Sequence, residues 1–360
     1  MADYSNWVVG IEGNFPVHQA VLDVMPPGTK IISAEPSGVS AWTKTAKISV
    51  TLPDGKTKKY FLKLAFGIGA KPLTEGEFHS ASIIYATVPG LVPQATGYGS
   101  YSTPKGTMYF YLCDFHHMDL RTAPEPRSFA AKLAKLHREA VSPIGLFGFP
   151  VPTACGIIER TVTWEKCWAT LFKYQLEDVI NFDNNVNAPW PEYDAACKQV
   201  INEVIPRLLL PLQSEGRSIE PVLVHGDLWE GNLGIDMETG ETIMFDPGST
   251  YAHNEMEFGT WRCTWAYYLN SSSYMRAYQQ HIEPSEPVDQ WDDRNRLYGI
   301  RAYLNDSAGH PGSPSRQIAY NDMLYLCEQY APLDSLERYS PEKDISVTGA
   351  YVPYVTKQLE

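Results

Sequence analysis

Residues 224–232 read Val-His-Gly-Asp-Leu-Trp-Glu-Gly-Asn, and residues 243–247 read Ile-Met-Phe-Asp-Pro. Asp227 follows the short apolar run Pro221–Val224, and Asn232 stands five positions further on. Asp246 closes a second apolar run, Ile243–Phe245. Two strands that each end in a carboxylate, with an Asp-to-Asn loop between them, bring hard oxygen donors and a general base to one edge. Phosphoryl transfer to a hydroxyl needs that set: a carboxylate to orient the hydroxyl and accept its proton, oxygens to hold magnesium, and a cation for the phosphates. The D-x-x-x-x-N spacing is that of a phosphotransferase catalytic loop. Taken singly, Asp227 or Asp246 reads as a turn or cap residue; the combination is what carries the reading.

Working outward, residues 30–66 read as a β-meander. Pro53-Asp54-Gly55 is a turn signal. In Lys59–Leu64, Tyr60, Leu62 and Leu64 fall on one face, Phe61 and Lys63 on the other. Residues 5–26 read as a short helical prelude stopped by Pro26-Pro27, Leu73–Ala86 as a helix, and Met108–Leu112 as a further strand. Downstream the periodicity is helical around Phe129–Leu136, Trp164–Val179 and Cys197–Leu208, the last despite Pro206. Residues 284–296 and 306–316 read as polar, Pro/Gly-bearing surface loops. The fold class is therefore α+β, with a small antiparallel sheet plus one helix followed by a larger, mainly helical region. The division is expected at residues 1–113 and 114–360.

Composition excludes other classes. The 360 residues carry a formal charge of −13, from 29 Lys+Arg against 42 Asp+Glu. Such a surface repels nucleic acid and anionic lipid, so neither is expected as a partner. The six cysteines are scattered without a C-x-x-C pair, so free thiols are expected rather than zinc or a disulfide framework. Met1–Gly13 lacks a basic region followed by an apolar one, and no apolar run approaches the ~18–20 residues that span a bilayer. A cytoplasmic protein is expected.

H-G-D-L-W-x-G-N followed by F-D-P-x-S-x-Y resembles the fructosamine-kinase family, the ketosamine 3-kinases, which share a two-lobed protein-kinase-like fold with aminoglycoside and choline kinases. Phe147-Gly148-Phe149 with Thr153-Ala154-Cys155-Gly156, and Leu133–His137, resemble other segments of that family, so the likeness covers roughly residues 35–260. It implies ATP and Mg2+ as cofactors and a ketosamine, free or on a glycated protein, as acceptor. The phosphate ester would then decompose and free the amine. By resemblance, Asp227 is the catalytic base, Asn232 and Asp246 the magnesium ligands, and Lys63 the phosphate-binding lysine. Glu77 is favoured as the partner of Lys63, with Glu75 as the alternative.

Gly38, in the stretch Ser37–Trp42, is the candidate phosphate-loop glycine, although a single glycine stands where G-x-G-x-x-G would be expected. No cysteine lies between Glu35 and Lys47, so a disulfide switch there is not expected. Asp114, Phe115 and His116 resemble the adenine-binding hinge. Trp229 is the candidate sugar-stacking residue. His225 is grouped with it on the substrate side, as a hydrogen-bonding partner of the loop rather than a base. Glu255 and Glu257 read either as an amine-attracting pair or as solvated or capping carboxylates. The alternatives are an aminoglycoside- or choline-type phosphotransferase and an ATP-binding pseudokinase scaffold. The sequence leaves oligomeric state open.

Overall fold

The computed structural model describes residues 6–38 and 40–349. The expected spans that begin at residues 1 and 5 or end at 360, and Val39 of the candidate phosphate loop, fall partly outside these. The chain runs α1 (Gln19–Asp23), β1 (Lys30–Pro36), β2 (Thr43–Thr51), β3 (Thr57–Phe66), α2 (Ala70–Thr87), β4 (Ala95–Thr103) and β5 (Gly106–Asp114). These strands form one antiparallel sheet in the order β1-β2-β3-β5-β4. The β2–β3 turn is closed by Leu52 N–H on the Lys56 carbonyl at 2.8 Å and by the Asp54 side chain on Lys56 N–H at 3.0 Å. Tyr60, Leu62 and Leu64 face a core with Val17, Val21, Ile48, Val50 and Phe110, as the alternation requires. Phe61 lies on the opposite face, against the core that contains Ala81 and Ile84 of α2.

β6 (Met118–Asp119) leads into α3 (Pro126–Glu139), β7 (Thr153–Cys155), β8 (Ile158–Arg160), α4 (Trp168–Val186), α5 (Pro191–Gln199) and α6 (Ile205–Leu209). Then follow β9 (Val222–Val224), β10 (Leu233–Asp236), β11 (Thr242–Met244), β12 (Thr250–Ala252), α7 (Ser272–Gln279), α8 (Trp291–Gly309), α9 (Ser315–Tyr330) and α10 (Ile345–Thr348). A third core joins Trp168 and Phe172 of α4 to Leu208, Tyr298, Leu304 and Met323. The architecture is the expected α+β, two-lobed kinase-like one.

Several local expectations are corrected. The prelude is helical only over Gln19–Asp23; Gly10 and Gly13 take φ of 75° and 91°, and the chain instead bridges Trp7 to His18 and Glu12 to Ser33. β4 was missed altogether. The helix expected from Trp164 starts at Trp168, because Glu165 bridges back to Phe147. The Cys197–Leu208 helix persists through Pro206 by widening: residues Val200–Val204 form a π turn in which Ile205 N–H reaches the Val200 carbonyl, so Pro206 enters at the start of a new α segment. The polar stretches expected as loops at 284–296 and 306–316 contribute residues 291–296 and 306–309 to α8 and 315–316 to α9. Their charges point inward: Arg294 forks onto Glu255 at 2.8 and 3.0 Å, and Arg296 pairs with Asp322 and, at 2.8 Å, with Asp344.

Candidate active site

The loop His225–Asn232 is held between two strand pairs. β9 pairs with β12, and β10 with β11, both antiparallel. Phe245 N–H donates to the Asn232 carbonyl at 3.0 Å, which ties the two carboxylate-bearing segments together. Asn232 is buried, and its Nδ2 donates to the Asp227 carbonyl at 2.8 Å and to Asp227 Oδ2 at 3.1 Å. The amide oxygen of Asn232 is thereby turned away from Asp227. Asp246 takes φ of 57°, a left-handed backbone that is rare outside glycine and costs about 1–3 kcal/mol.

β3 carries Lys63 and α2 carries Glu77, both on the faces that meet the cleft. Lys63 Nζ lies 2.6 Å from Glu77 Oε2 and 2.6 Å from Asp246 Oδ1. Burial opposes the Lys63 charge, but the two carboxylates outweigh it and hold the ammonium above its usual range. Glu77 is enclosed and shares that one cation with Asp246. Burial, opposed by Lys63, pushes its carboxyl up to about 7. Glu75, the alternative, instead accepts from Tyr98 at 3.3 Å and lies 3.7 Å from Lys71.

Burial raises the Asp227 carboxyl above the ordinary range; His225, a hydrogen bond from Cys155 and Arg160 oppose the rise. His225 is the hydrogen-bonding partner of the loop that was expected, but its grouping on the substrate side is corrected. It is fully buried behind the loop, with Nδ1 accepting Asp227 N–H at 3.3 Å and Nε2 donating to the Phe245 carbonyl at 3.0 Å. Both ring nitrogens are committed, burial lowers its basicity, and it lines neither cavity of the cleft. Gly226, between these two, has φ of 83°, and a Cβ there would stand 2.4 Å from the Gly248 carbonyl oxygen. Gly231 is needed for another reason: a Cβ would meet the Trp229 ring at 2.2 Å, so the indole lies directly over the glycine.

Two contiguous cavities, each about 350 Å3, share Lys63, Glu77, Gly231 and Asp246 as a common wall. One is lined by Gly38, Phe61, Ala81, Tyr111 and the segment Cys113–His116 beneath the sheet. The other is lined by Asp227, Trp229, Trp42, Arg301 and Asn305. Gly38 has φ of 84° and sits on the first cavity, next to Thr45. In the hinge, the backbone N–H groups of Asp114 and Phe115 are used by the Gln94 and Lys59 carbonyls at 3.0 and 3.1 Å. The side chains of Asp114 and His116 pair with Lys58 at 2.7 Å and Asp236 at 2.6 Å.

The sequence reading missed the loop's anchors. Glu257 is buried and accepts His225 N–H at 2.5 Å and Gly226 N–H at 3.0 Å, so it is neither an amine trap nor a solvated carboxylate. Burial opposes its charge, yet His137, His225 and the Gly226 N–H hold the carboxyl below its usual range. Glu255 is equally enclosed by Arg294 and by Ser285 N–H at 2.8 Å. Arg160 donates to the carbonyls of Gly226, at 3.1 Å, and Gly248. No local signal marked these anchors, because their partners lie on distant segments.

The sequence profile described as "Fructosamine kinase" matches residues 31–319. This chain belongs to the fructosamine kinase family. It is 29% identical over 247 residues to a chloroplastic protein-ribulosamine 3-kinase of rice, Oryza sativa subsp. indica, spanning 68% of this chain and 66% of that protein. It is 28% identical over 295 residues to the ketosamine-3-kinase of Mus musculus, spanning 74% and 88%. The fold matches that of a Thermobifida fusca protein assigned as a fructosamine-3-kinase, with a TM-score of 0.67 at 18% identity over 85% of this chain and 98% of that one. It also matches an aminoglycoside phosphotransferase in ternary complex with AMP-PNP and hygromycin B, with a TM-score of 0.53 at 15% identity over 84% and 96%.

Proposed function

We propose that this chain is an ATP-dependent kinase that phosphorylates a sugar hydroxyl of ketosamines, either fructosamine or ribulosamine adducts of amines. The observation that carries this is the meeting of Lys63, Asp227, Asn232 and Asp246 along one cleft, in a chain of this family. ATP occupies the cavity under the sheet, with Gly38 beside the phosphates and adenine against the backbone of 114–116. The sheet with α2, residues 1–113, is the nucleotide lobe; residues 114–360 hold the acceptor.

Asp227 orients the acceptor hydroxyl and takes its proton as the oxygen–phosphorus bond forms and the bond to the β-phosphate oxygen breaks, releasing ADP. Lys63, set by Glu77, positions the phosphates. The donor set fits magnesium: the amide oxygen of Asn232, turned away from Asp227, and the half-exposed Asp246 carboxylate supply two hard oxygens. Bound there, Mg2+ would neutralise charge on the phosphates. Trp229 stacks on the sugar. Decomposition of the phosphate ester then frees the amine, a deglycation repair.

No described helix is long and apolar enough to cross a membrane. We propose a cytoplasmic location because all six cysteines are free, as a reducing compartment keeps them.

The test is transfer from MgATP to a ribulosamine, a fructosamine, choline and an aminoglycoside, followed by phosphorus NMR. A phosphate ester on a ketosamine supports the proposal. Transfer to choline or the antibiotic alone keeps the mechanism and overturns the substrate.

A further inference from the structure

Five arginines are buried: Arg160, Arg294, Arg296, Arg301 and Arg316. Four hold fixed partners. Arg160 takes two carbonyls, Arg294 takes Glu255, Arg296 takes Asp322 and Asp344, and Arg316 takes Asp183 at 2.8 Å. Arg301 differs. It is 7% exposed, its Nε is enclosed without a hydrogen-bond partner, and among the described residues no hydrogen bond or ion pair engages its guanidinium. It faces the cavity that Asp227 and Trp229 line. The charges of Asp227 and Asp178 bear on it from a distance, but no direct hydrogen bond satisfies it, and a buried guanidinium left so is one that a ligand in the cavity can complete.

A second unsatisfied group stands one helical turn away. Asn305 follows Arg301 by four residues on α8 and lines the same cavity. Its Nδ2 is committed to Cys155 Sγ at 3.1 Å, which fixes the amide's orientation, and its Oδ1 is buried without a donor. The neighbouring Asp306 is already used by His310 at 3.0 Å and Ser315 at 2.5 Å. The unsatisfied groups are thus a fork of N–H donors and, beside it, one acceptor.

That pairing discriminates between ligands. Guanidinium donates only, so it needs carbonyl or hydroxyl oxygens; the Asn305 oxygen accepts only, so it needs an O–H or N–H. A bare anion would satisfy Arg301 but face the Asn305 oxygen unfavourably. Adjacent oxygens of a polyhydroxylated chain satisfy both. We propose that Arg301 and Asn305 form the sugar-recognition face of the acceptor cavity, with Arg301 donating to a ketone or hydroxyl oxygen and Asn305 accepting from a neighbouring hydroxyl. They thereby set which hydroxyl reaches Asp227. The inference deepens the ketosamine-kinase reading and rests on it.

The experiment measures steady-state transfer to a ribulosamine of a simple alkylamine for wild type, Arg301→Met, Arg301→Lys and Asn305→Ala, with MgATP KM, acceptor-free ATP hydrolysis and ligand-free melting temperature on each. Arg301→Met and Asn305→Ala should lower acceptor kcat/KM about ten- to hundredfold. Arg301→Lys should recover part of the loss. MgATP KM should stay within about twofold, and acceptor kcat/KM should fall further than acceptor-free ATP hydrolysis does, in line with contacts made to the acceptor. The ligand-free melting temperature of Arg301→Met should hold or rise, because an unpartnered buried charge is removed. Unchanged acceptor kinetics would overturn the inference. So would losses shared equally by ATP hydrolysis, which would put Arg301 at the transferred phosphoryl group, or a melting temperature that falls with activity, which would make it structural. Wild type that transfers to no sugar adduct would instead overturn the underlying functional reading.

Discussion

Glu257→Gln should disable the catalytic loop without touching the nucleotide. The Glu257 carboxylate receives two backbone N–H groups, from His225 at 2.5 Å and Gly226 at 3.0 Å. A glutamine oxygen can serve one of them; the other would face an NH2 group. Hydrogen bonds to a charged group contribute about 1.5–3 kcal/mol each, against about 1 for neutral ones. Losing one and weakening the other removes about 2–4 kcal/mol. Unfolding entropy of about 2.1 cal/mol/K per residue gives roughly 0.75 kcal/mol/K for a chain of this length, so the melting temperature should fall by about 3–5 °C. Asp227 is bonded directly to Gly226, and a displacement of an ångström there should lower kcat about a hundredfold while MgATP KM holds. Glu255→Gln is the control: it is as buried, but its partners are Arg294 and Ser285 N–H, so it should lose stability and keep kcat within about threefold of wild type. Thermal melts and steady-state kinetics on both variants decide the matter. A Glu257→Gln enzyme with near-normal kcat, or equal kcat losses in both variants, would refute the anchoring role.

Three further outcomes follow from the geometry. Glu77→Gln should lower kcat/KM for MgATP about ten- to hundredfold, because Lys63 would keep Asp246 alone, whereas Glu75→Gln should change it less than about twofold. Gly231→Ala should push the Trp229 ring aside, since a Cβ would stand 2.2 Å from it; acceptor kcat/KM should fall at least about tenfold, with a shift in tryptophan emission. Asp344, paired with Arg296 and bonded by Tyr339 and Ser346, resists burial's upward pull and has its carboxyl lowered from 3.8 to about 2. Its contribution is therefore full above the unfolded value and is lost as pH falls toward 2. Urea unfolding between pH 5 and 3 should show Asp344→Asn about 1–3 kcal/mol less stable at pH 5, with a gap that narrows as pH falls.

The chemistry of the cleft was more legible than its supports. Asp227, Asn232, Asp246 and Lys63 each sit at the end or on one face of a short apolar strand, so local pattern placed them. β4 was hidden because Ala-Thr-Gly-Tyr-Gly-Ser-Tyr-Ser-Thr reads as turn chemistry; it is a strand only because β5 supplies the ladder. α8 was hidden because it buries Arg294, Arg296 and Arg301, which local hydropathy assigns to solvent. The long-range anchors, Glu257 on the loop amides and Arg160 on the Gly226 carbonyl, pair residues 31 or more apart, beyond any sequence window. Placing His225 on the substrate side failed for the same reason, although its bonding to the loop was foreseen: its burial is created by Phe245 and Glu257, not by its neighbours in sequence.

The most direct test of the central claim compares wild type with Asp227→Asn at saturating MgATP and a ketosamine acceptor, with MgATP affinity measured on both. Asparagine keeps the shape of the side chain and its place beside Asn232 but cannot take the acceptor's proton. Transfer should fall by about a hundredfold or more, at unchanged MgATP affinity. An Asp227→Asn enzyme within about tenfold of wild type would contradict Asp227 as the base, and a loss confined to MgATP binding would place it with the nucleotide instead.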